Sequence, residues 1–258
     1  MKTKKNGIYM MCVLAFIVIL AVVSFIIDRK IKENEEKMPE NAETSEDVML
    51  TVYGEMSKEE LMEHIKASVV RIEADAASEN GISMVGSGVV LEVTDEYIDI
   101  ATAGHVVEQT AEPLVYFYNG SLAYGSVLAY GKESDIAFIR VEATSFADGV
   151  GADITAVRSG DNDYYDKLVI GKEVIMLGSL SEVADTTINS TVKEKDRFVE
   201  LFQNHMLICE GTVSGGMSGG GTYCPDGKLI GIIVGVGDTE TACVAIADVM
   251  AEYRSISY

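Results

Sequence analysis

An all-β fold, a sandwich or a barrel, is what this sequence predicts, and two observations carry the prediction. Ten short runs rich in branched aliphatic and aromatic residues recur between residues 68 and 246, separated by clusters of Gly, Asn, Asp and Ser. No long stretch of helical period stands between them, which argues against alternating strand–helix units.

The elements follow in order. Met1 to Lys5 is basic, and Ile8 to Ile27 is a run of twenty residues without a charge. At about 1.5 Å per residue that run matches a hydrocarbon core of roughly 30 Å. A cleaved signal peptide has a shorter apolar stretch, about 7–15 residues, so residues 1–27 read as a basic tip and an uncleaved transmembrane anchor. Lys2, Lys4 and Lys5 place the N-terminus in the cytoplasm, with the remainder extracytoplasmic at the cell membrane. Residues 28–55 read as a flexible acidic stalk, because Glu33, Glu35, Glu36, Glu40, Glu43, Glu46 and Asp47 are interleaved with Asn, Pro and Ser.

Order is expected from 56 to 258. Ser57-Lys-Glu-Glu60 fits a capping box, with Leu61, Met62 and Ile65 at helical spacing, so a short helix runs to about Lys66. The strand-like runs are 68–73, 88–92, 97–101, 114–118 and 137–141, then 173–177, 186–190, 205–209, 229–234 and 242–246. Ala247 to Arg254 reads as a closing helix.

Charge narrows the partners. The chain has 20 Lys+Arg against 41 Asp+Glu, a net charge of −21. Nucleic acid is therefore excluded as an expected partner, because phosphate binding needs a basic face. Cys12 lies inside the apolar run, leaving Cys209, Cys224 and Cys243, which allow at most one bridge and equally suit three reduced, buried thiols. None has metal-ligand spacing, and Asp161-Asn162-Asp163 reads as a solvated acidic loop, so no metal or cofactor is expected.

The chemistry concentrates in Gly216-Met217-Ser218-Gly219-Gly220, preceded in chain order by His105 and Asp135. A serine hydroxyl is a weak nucleophile at neutral pH; it needs a base to take its proton and a third group to orient that base. Bracketing glycines let the chain turn tightly and leave amides free for a developing oxyanion.

These residues resemble the trypsin-like serine peptidases, and among them the HtrA/DegP-type protease domain. The resemblance spans about residues 60–250. It rests on Ser68-Val-Val-Arg-Ile72, Gly86-Ser87-Gly88-Val89-Val90, Ala101-Thr102-Ala103-Gly104-His105-Val106-Val107, Ser134-Asp135-Ile136-Ala137, Ile170-Gly171-Lys172 with Met176-Leu177-Gly178, and the serine motif followed by Leu229-Ile230-Gly231-Ile232. It implies two six-stranded antiparallel β-barrels, about 66–145 and 165–250, with the site between them. By the same resemblance His105, Asp135 and Ser218 would be the catalytic triad, and the N–H groups of Gly216 and Ser218 the oxyanion hole. Thr212 would lie near the floor of the specificity pocket, with Ile232, Ile233 and Val234 on the strand that pairs with substrate. The family's barrel order would also set the strands of Cys209 and Cys243 side by side, within reach of a disulfide. Two features depart from the family: Gly221 stands where proline usually follows the motif, and the 40 residues after Ser218 suffice only to finish a barrel, so no PDZ domain is expected.

The expected function is thus a membrane-tethered serine endopeptidase cleaving polypeptides, such as unfolded envelope proteins, through an acyl-enzyme. The alternative is a catalytically silent, protease-like ectodomain that binds a partner. Oligomeric state is not legible in the sequence.

Overall fold

The computed structural model describes residues 57–75, 83–131, 134–146, 154–160, 162–181 and 184–256. The expected span and stalk lie outside these residues, and no described helix is long and apolar enough to cross a membrane.

Helix α1 (Lys58–Lys66) begins at the expected capping box: Ser57 Oγ accepts the Glu60 N–H at 3.2 Å, and Glu60 Oε2 accepts the Ser57 N–H at 2.7 Å. Two otherwise orphaned backbone donors are satisfied in this way. Leu61 and Ile65 on one face are buried in the core of the first sheet.

That sheet comprises β1 (Val69–Ala74), β2 (Met84–Val93), β3 (Tyr97–Ala103), β4 (Leu114–Tyr116), β5 (Leu122–Tyr124), β6 (Ser126–Gly131) and β7 (Ile136–Glu142). All pairs are antiparallel, in the order β5-β4-β1-β2-β3-β7-β6. Ile72, Val89, Val90, Ile98, Ile100, Ile139 and Val141 fill its interior. This corrects the expected closed six-stranded barrel, since the first half is a seven-stranded half-barrel. Strands β4 and β5 have three residues each and cannot carry a full ladder around the circumference. Two isolated backbone bonds, Gly125 N–H to Pro113 O and Val127 N–H to Ala111 O, both 2.9 Å, tie the start of β6 to the approach to β4.

The second half is a closed barrel of six strands: β8 (Glu173–Ser181), β9 (Ala184–Val199), β10 (Asn204–Glu210), β11 (Gly221–Tyr223), β12 (Leu229–Val236) and β13 (Glu240–Ala245), in the order β10-β13-β12-β11-β8-β9. The long β9 pairs with β8 along its first half and with β10 along its second. Gly221, the departure from the family pattern, opens β11 in register with Leu177 and Ile232. Short helical turns α2 (Gly104–Val107) and α3 (Asn162–Asp166) interrupt the strands.

Cys209, Cys224 and Cys243 are buried free thiols. The disulfide implied for Cys209 and Cys243 is not formed in this structure. Cys209 lies opposite Thr241 and Cys243 opposite Leu207, so the two cysteines are diagonal neighbours. Their thiols nonetheless meet across the ladder, each unbridged.

Helix α4 (Ile246–Ile256) leaves the barrel and returns to the first sheet. Tyr253 packs its ring 5.5 Å from that of Phe138, and its hydroxyl lies 2.5 Å from Asp99 Oδ2 and 2.7 Å from Glu92 Oε2. Asp99 is fully buried and held by a two-pronged bond from Arg140, 2.7 Å at each oxygen, while Arg140 stacks over Tyr97 at 3.6 Å. A buried carboxylate needs such pairing to remain charged.

Candidate active site

His105 is carried by α2, the helical turn that ends β3, and Asp135 by the residue that precedes β7. Because β3 and β7 are hydrogen-bonded neighbours, with Ala103 opposite Ile136, the two side chains emerge at one end of the sheet. Asp135 uses both carboxylate oxygens on His105: Oδ1 accepts the backbone N–H at 2.8 Å and Oδ2 meets ring Nδ1 at 2.7 Å. Its own carbonyl accepts the Gly104 N–H at 2.7 Å. Asp135 has φ +54°, a left-handed conformation that Asp tolerates better than most residues. Three bonds to residues 104 and 105 hold it there.

The imidazole is about one third exposed and the carboxylate is largely covered. Covering the aspartate strengthens the pair, since charge-assisted bonds gain as water is excluded. Tyr130 lies beside them; burial first, then the charges of Glu108 and Asp135, push its pKa up and keep the phenol neutral. Elsewhere, His205 Nδ1 lies 2.8 Å from Asp196 Oδ1 at the exposed surface.

Ser218 comes from the loop between β10 and β11, in the second barrel. The loop is fixed to both halves. Ser87 N–H donates to Ser218 O at 2.8 Å, Gly219 N–H to Ile233 O at 2.7 Å, and Gly220 N–H to Met217 O at 2.9 Å. Gly216 and Gly219 have φ +91° and +87°, conformations that L side chains rarely adopt. At Gly219 a Cβ would also stand 2.0 Å from Ser87 O, so only glycine fits. Among the described residues, the N–H groups of Gly216 and Ser218 donate to no acceptor. No hydrogen bond joins the Ser218 hydroxyl to the His105 ring among them; such contacts are often loose without substrate.

A cavity of about 520 Å³ opens beside the pair, lined by His105, Asp135, Leu201, Phe202, Gln203, Val234 and Gly235. The residues expected to bind substrate divide here. Thr212 is exposed and Val234 borders the cavity, whereas Ile232 and Ile233 are fully buried. Ile233 also commits both backbone groups, accepting from Gly219 and donating to Gly220. The stretch of β12 next to the cavity is therefore Val234–Gly235, which shares Val234 with the expected Ile232–Val234.

Two contributors had no role in the sequence reading. Ser87 contacts the serine loop, and Glu252 of α4 accepts a bond from Ser134 Oγ at 3.0 Å, next to Asp135. Both act across more than a hundred residues of chain, a separation no local motif reveals.

Residues 86–232 match the family described as the trypsin-like peptidase domain. Among curated proteins, the "Serine protease HtrA-like" of Staphylococcus aureus strains USA300 and NCTC 8325 is 25% identical over 185 residues, 64% of this chain. That match covers 23% of the relatives, so the chain spans less than a quarter of their length. Among solved structures, an HtrA-type protease, AlgW, with a tripeptide superposes with a TM-score of 0.63 at 17% identity, over 78% of this chain and 64% of the other. A serine endoprotease from Yersinia pestis gives a TM-score of 0.60 at 16% identity, over 78% and 66%.

Proposed function

Because this chain belongs to the trypsin-like peptidase domain family, we propose that it is a serine endopeptidase that uses His105, Asp135 and Ser218. The observation that carries the reading is the His105–Asp135 pair, closed at 2.7 Å through ring Nδ1, which leaves Nε2 as the ring's basic nitrogen. In this reading Ser218 Oγ bonds to the scissile carbonyl carbon while its proton passes to His105 Nε2. The Gly216 and Ser218 N–H groups take the oxyanion, worth about 10²–10³ in turnover per donor. Collapse breaks the C–N bond as His105 returns the proton to the departing amine, and water then cleaves the ester by the same route. Asp135 holds the imidazole and favours its cationic form.

The apolar wall of Leu201, Phe202 and Val234 suits polypeptide segments with aliphatic side chains near the scissile bond. The run from Ile8 to Ile27 and the lysines before it support a tether in the cytoplasmic membrane with the catalytic part outside. Flexible or unfolded envelope proteins are then the accessible substrates.

The test is a fluorophosphonate probe applied to the full chain in detergent, wild type beside Ser218→Ala. Labelling and peptide cleavage by the wild type, both abolished by S218A, are expected. A wild type that neither labels nor cleaves would instead favour the silent ectodomain.

A further inference from the structure

We infer that Ser87, on β2 of the first sheet, is a positioning residue that sets the oxyanion loop through its side-chain hydroxyl. The inference rests on the proposed serine mechanism. Ser87 is fully buried. Its Oγ donates to Gly216 O at 2.7 Å and accepts the Ser179 N–H of β8 at 2.9 Å. Its backbone N–H holds Ser218 O at 2.8 Å, and its carbonyl accepts Thr102 Oγ1 at 2.7 Å. One residue of the first half thus joins the strand after it, the barrel beyond it and the loop that bears the nucleophile.

The consequence lies in which peptide planes are fixed. The plane carrying the Ser218 N–H is held by Met217 O, which accepts from Gly220. The next plane back, between Gly216 and Met217, is held at one end by Met217 N–H on Ser214 O, a long bond of 3.2 Å. Its other end is held by the Ser87 hydroxyl. Beyond it the Gly216 N–H lies two torsions away, the φ and ψ of a glycine that resists rotation very little. Without the Ser87 hydroxyl the Gly216 carbonyl loses its side-chain anchor, and the proposed oxyanion donor turns with it. A backbone bond alone cannot replace this link, because the Ser87 N–H is already engaged by Ser218 O.

Ser87→Ala removes the hydroxyl, and with it the bonds to Gly216 O and from Ser179 N–H, and keeps the bonds made by the Ser87 backbone itself. The full chain is assayed with a peptide substrate and with a peptide aldehyde, whose adduct places an oxyanion in the hole. Expected are a kcat at least about tenfold lower, up to the 10²–10³ that outright loss of a donor costs, with KM little changed and aldehyde affinity reduced. The acid-limb midpoint of kcat should stay put, because the His105–Asp135 bonds are untouched. Thr102→Val is the control: it deletes a buried bond to the same residue, at Ser87 O, yet leaves the Gly216 contact, so kcat should hold even where Tm falls. The inference is overturned if S87A keeps kcat and aldehyde affinity within about twofold of wild type while its Tm falls like that of T102V. Turnover by S218A at the wild-type rate would overturn the underlying serine mechanism instead, and the Ser87 role with it.

Discussion

Asp135→Asn tests the proposed base most directly, because the structure dictates which way the new amide must face. Asp135 gives one oxygen to the His105 backbone N–H at 2.8 Å and the other to ring Nδ1 at 2.7 Å. Asparagine has only one oxygen. The backbone N–H can only donate, so the amide oxygen belongs there and the NH₂ group faces Nδ1. Nδ1 must then accept, which moves the ring's proton to Nε2, the nitrogen required to take the Ser218 proton. The side chain remains nearly isosteric and both contacts survive, so the fold is preserved while the base carries the wrong tautomer. The expected loss is about 10⁴-fold in kcat, or ~5 kcal/mol of transition-state stabilisation, with KM nearly unchanged. Steady-state cleavage, fluorophosphonate labelling rate and Tm, measured on wild type and D135N, make up the assay. A kcat within tenfold of wild type, at a matching Tm, would refute the assignment of Asp135 as the group that orients His105.

Two further outcomes are expected. Cys209, Cys224 and Cys243 should resist iodoacetamide in the native protein at pH 8 and react in urea: burial pushes the Cys224 thiol up to about 11, and the Cys243 contact together with burial pushes Cys209 upward. Peptide mapping by mass spectrometry counts the adducts, and rapid native labelling at any of the three would contradict the burial. Glu252 is raised above its ordinary carboxyl value of 4.5, chiefly by burial, with Asp248 adding to the effect and the Ser134 hydroxyl opposing it. A carboxyl raised on folding contributes stability below its unfolded pKa and loses it as pH climbs through the folded value. Glu252→Gln should therefore raise Tm more at pH 7 than at pH 4, and scanning calorimetry giving equal differences at the two pH values would count against a raised carboxyl.

What the sequence discloses depends on how local each feature is. The His105, Asp135 and Ser218 motifs are short and self-contained, and the capping box at Ser57 is complete within four residues. Strands β5, β6 and β11 were not foreseen, because two of them have only three residues and β6 carries glycine and serine at its ends. The far half of β9 was missed for another reason. Its 193–197 stretch, Lys-Glu-Lys-Asp-Arg, lacks apolar alternation. Backbone pairing with β10 sustains it there, with surface ion pairs from Lys193 and Arg197 to Glu240 beside it. The diagonal register of Cys209 and Cys243 is likewise set by which residues face each other across β10 and β13, information that spacing along the chain does not contain.

The proposed chemistry is divided between the halves: His105 and Asp135 stand on the open sheet, Ser218 on the closed barrel. Correct geometry therefore depends on the junction as much as on either core. The junction is built from buried and part-buried hydrogen bonds. Ser87 N–H and Oγ cross it from one side, and α4 crosses back from the other to place Tyr253 on Asp99 and Glu252 on Ser134. These crossings end beside the proposed catalytic groups, at the loop that bears Ser218 in one case and at the residue before Asp135 in the other. A half-barrel that lacks full strand closure has a reason to use them. At one end its strands β4 and β5 have three residues each, and contacts with the barrel and with α4 add bonds beyond the sheet's own ladder. Loss of one such crossing should then misalign the site well before it unfolds either half, so kcat, rather than Tm, is the more sensitive measure of damage at the junction.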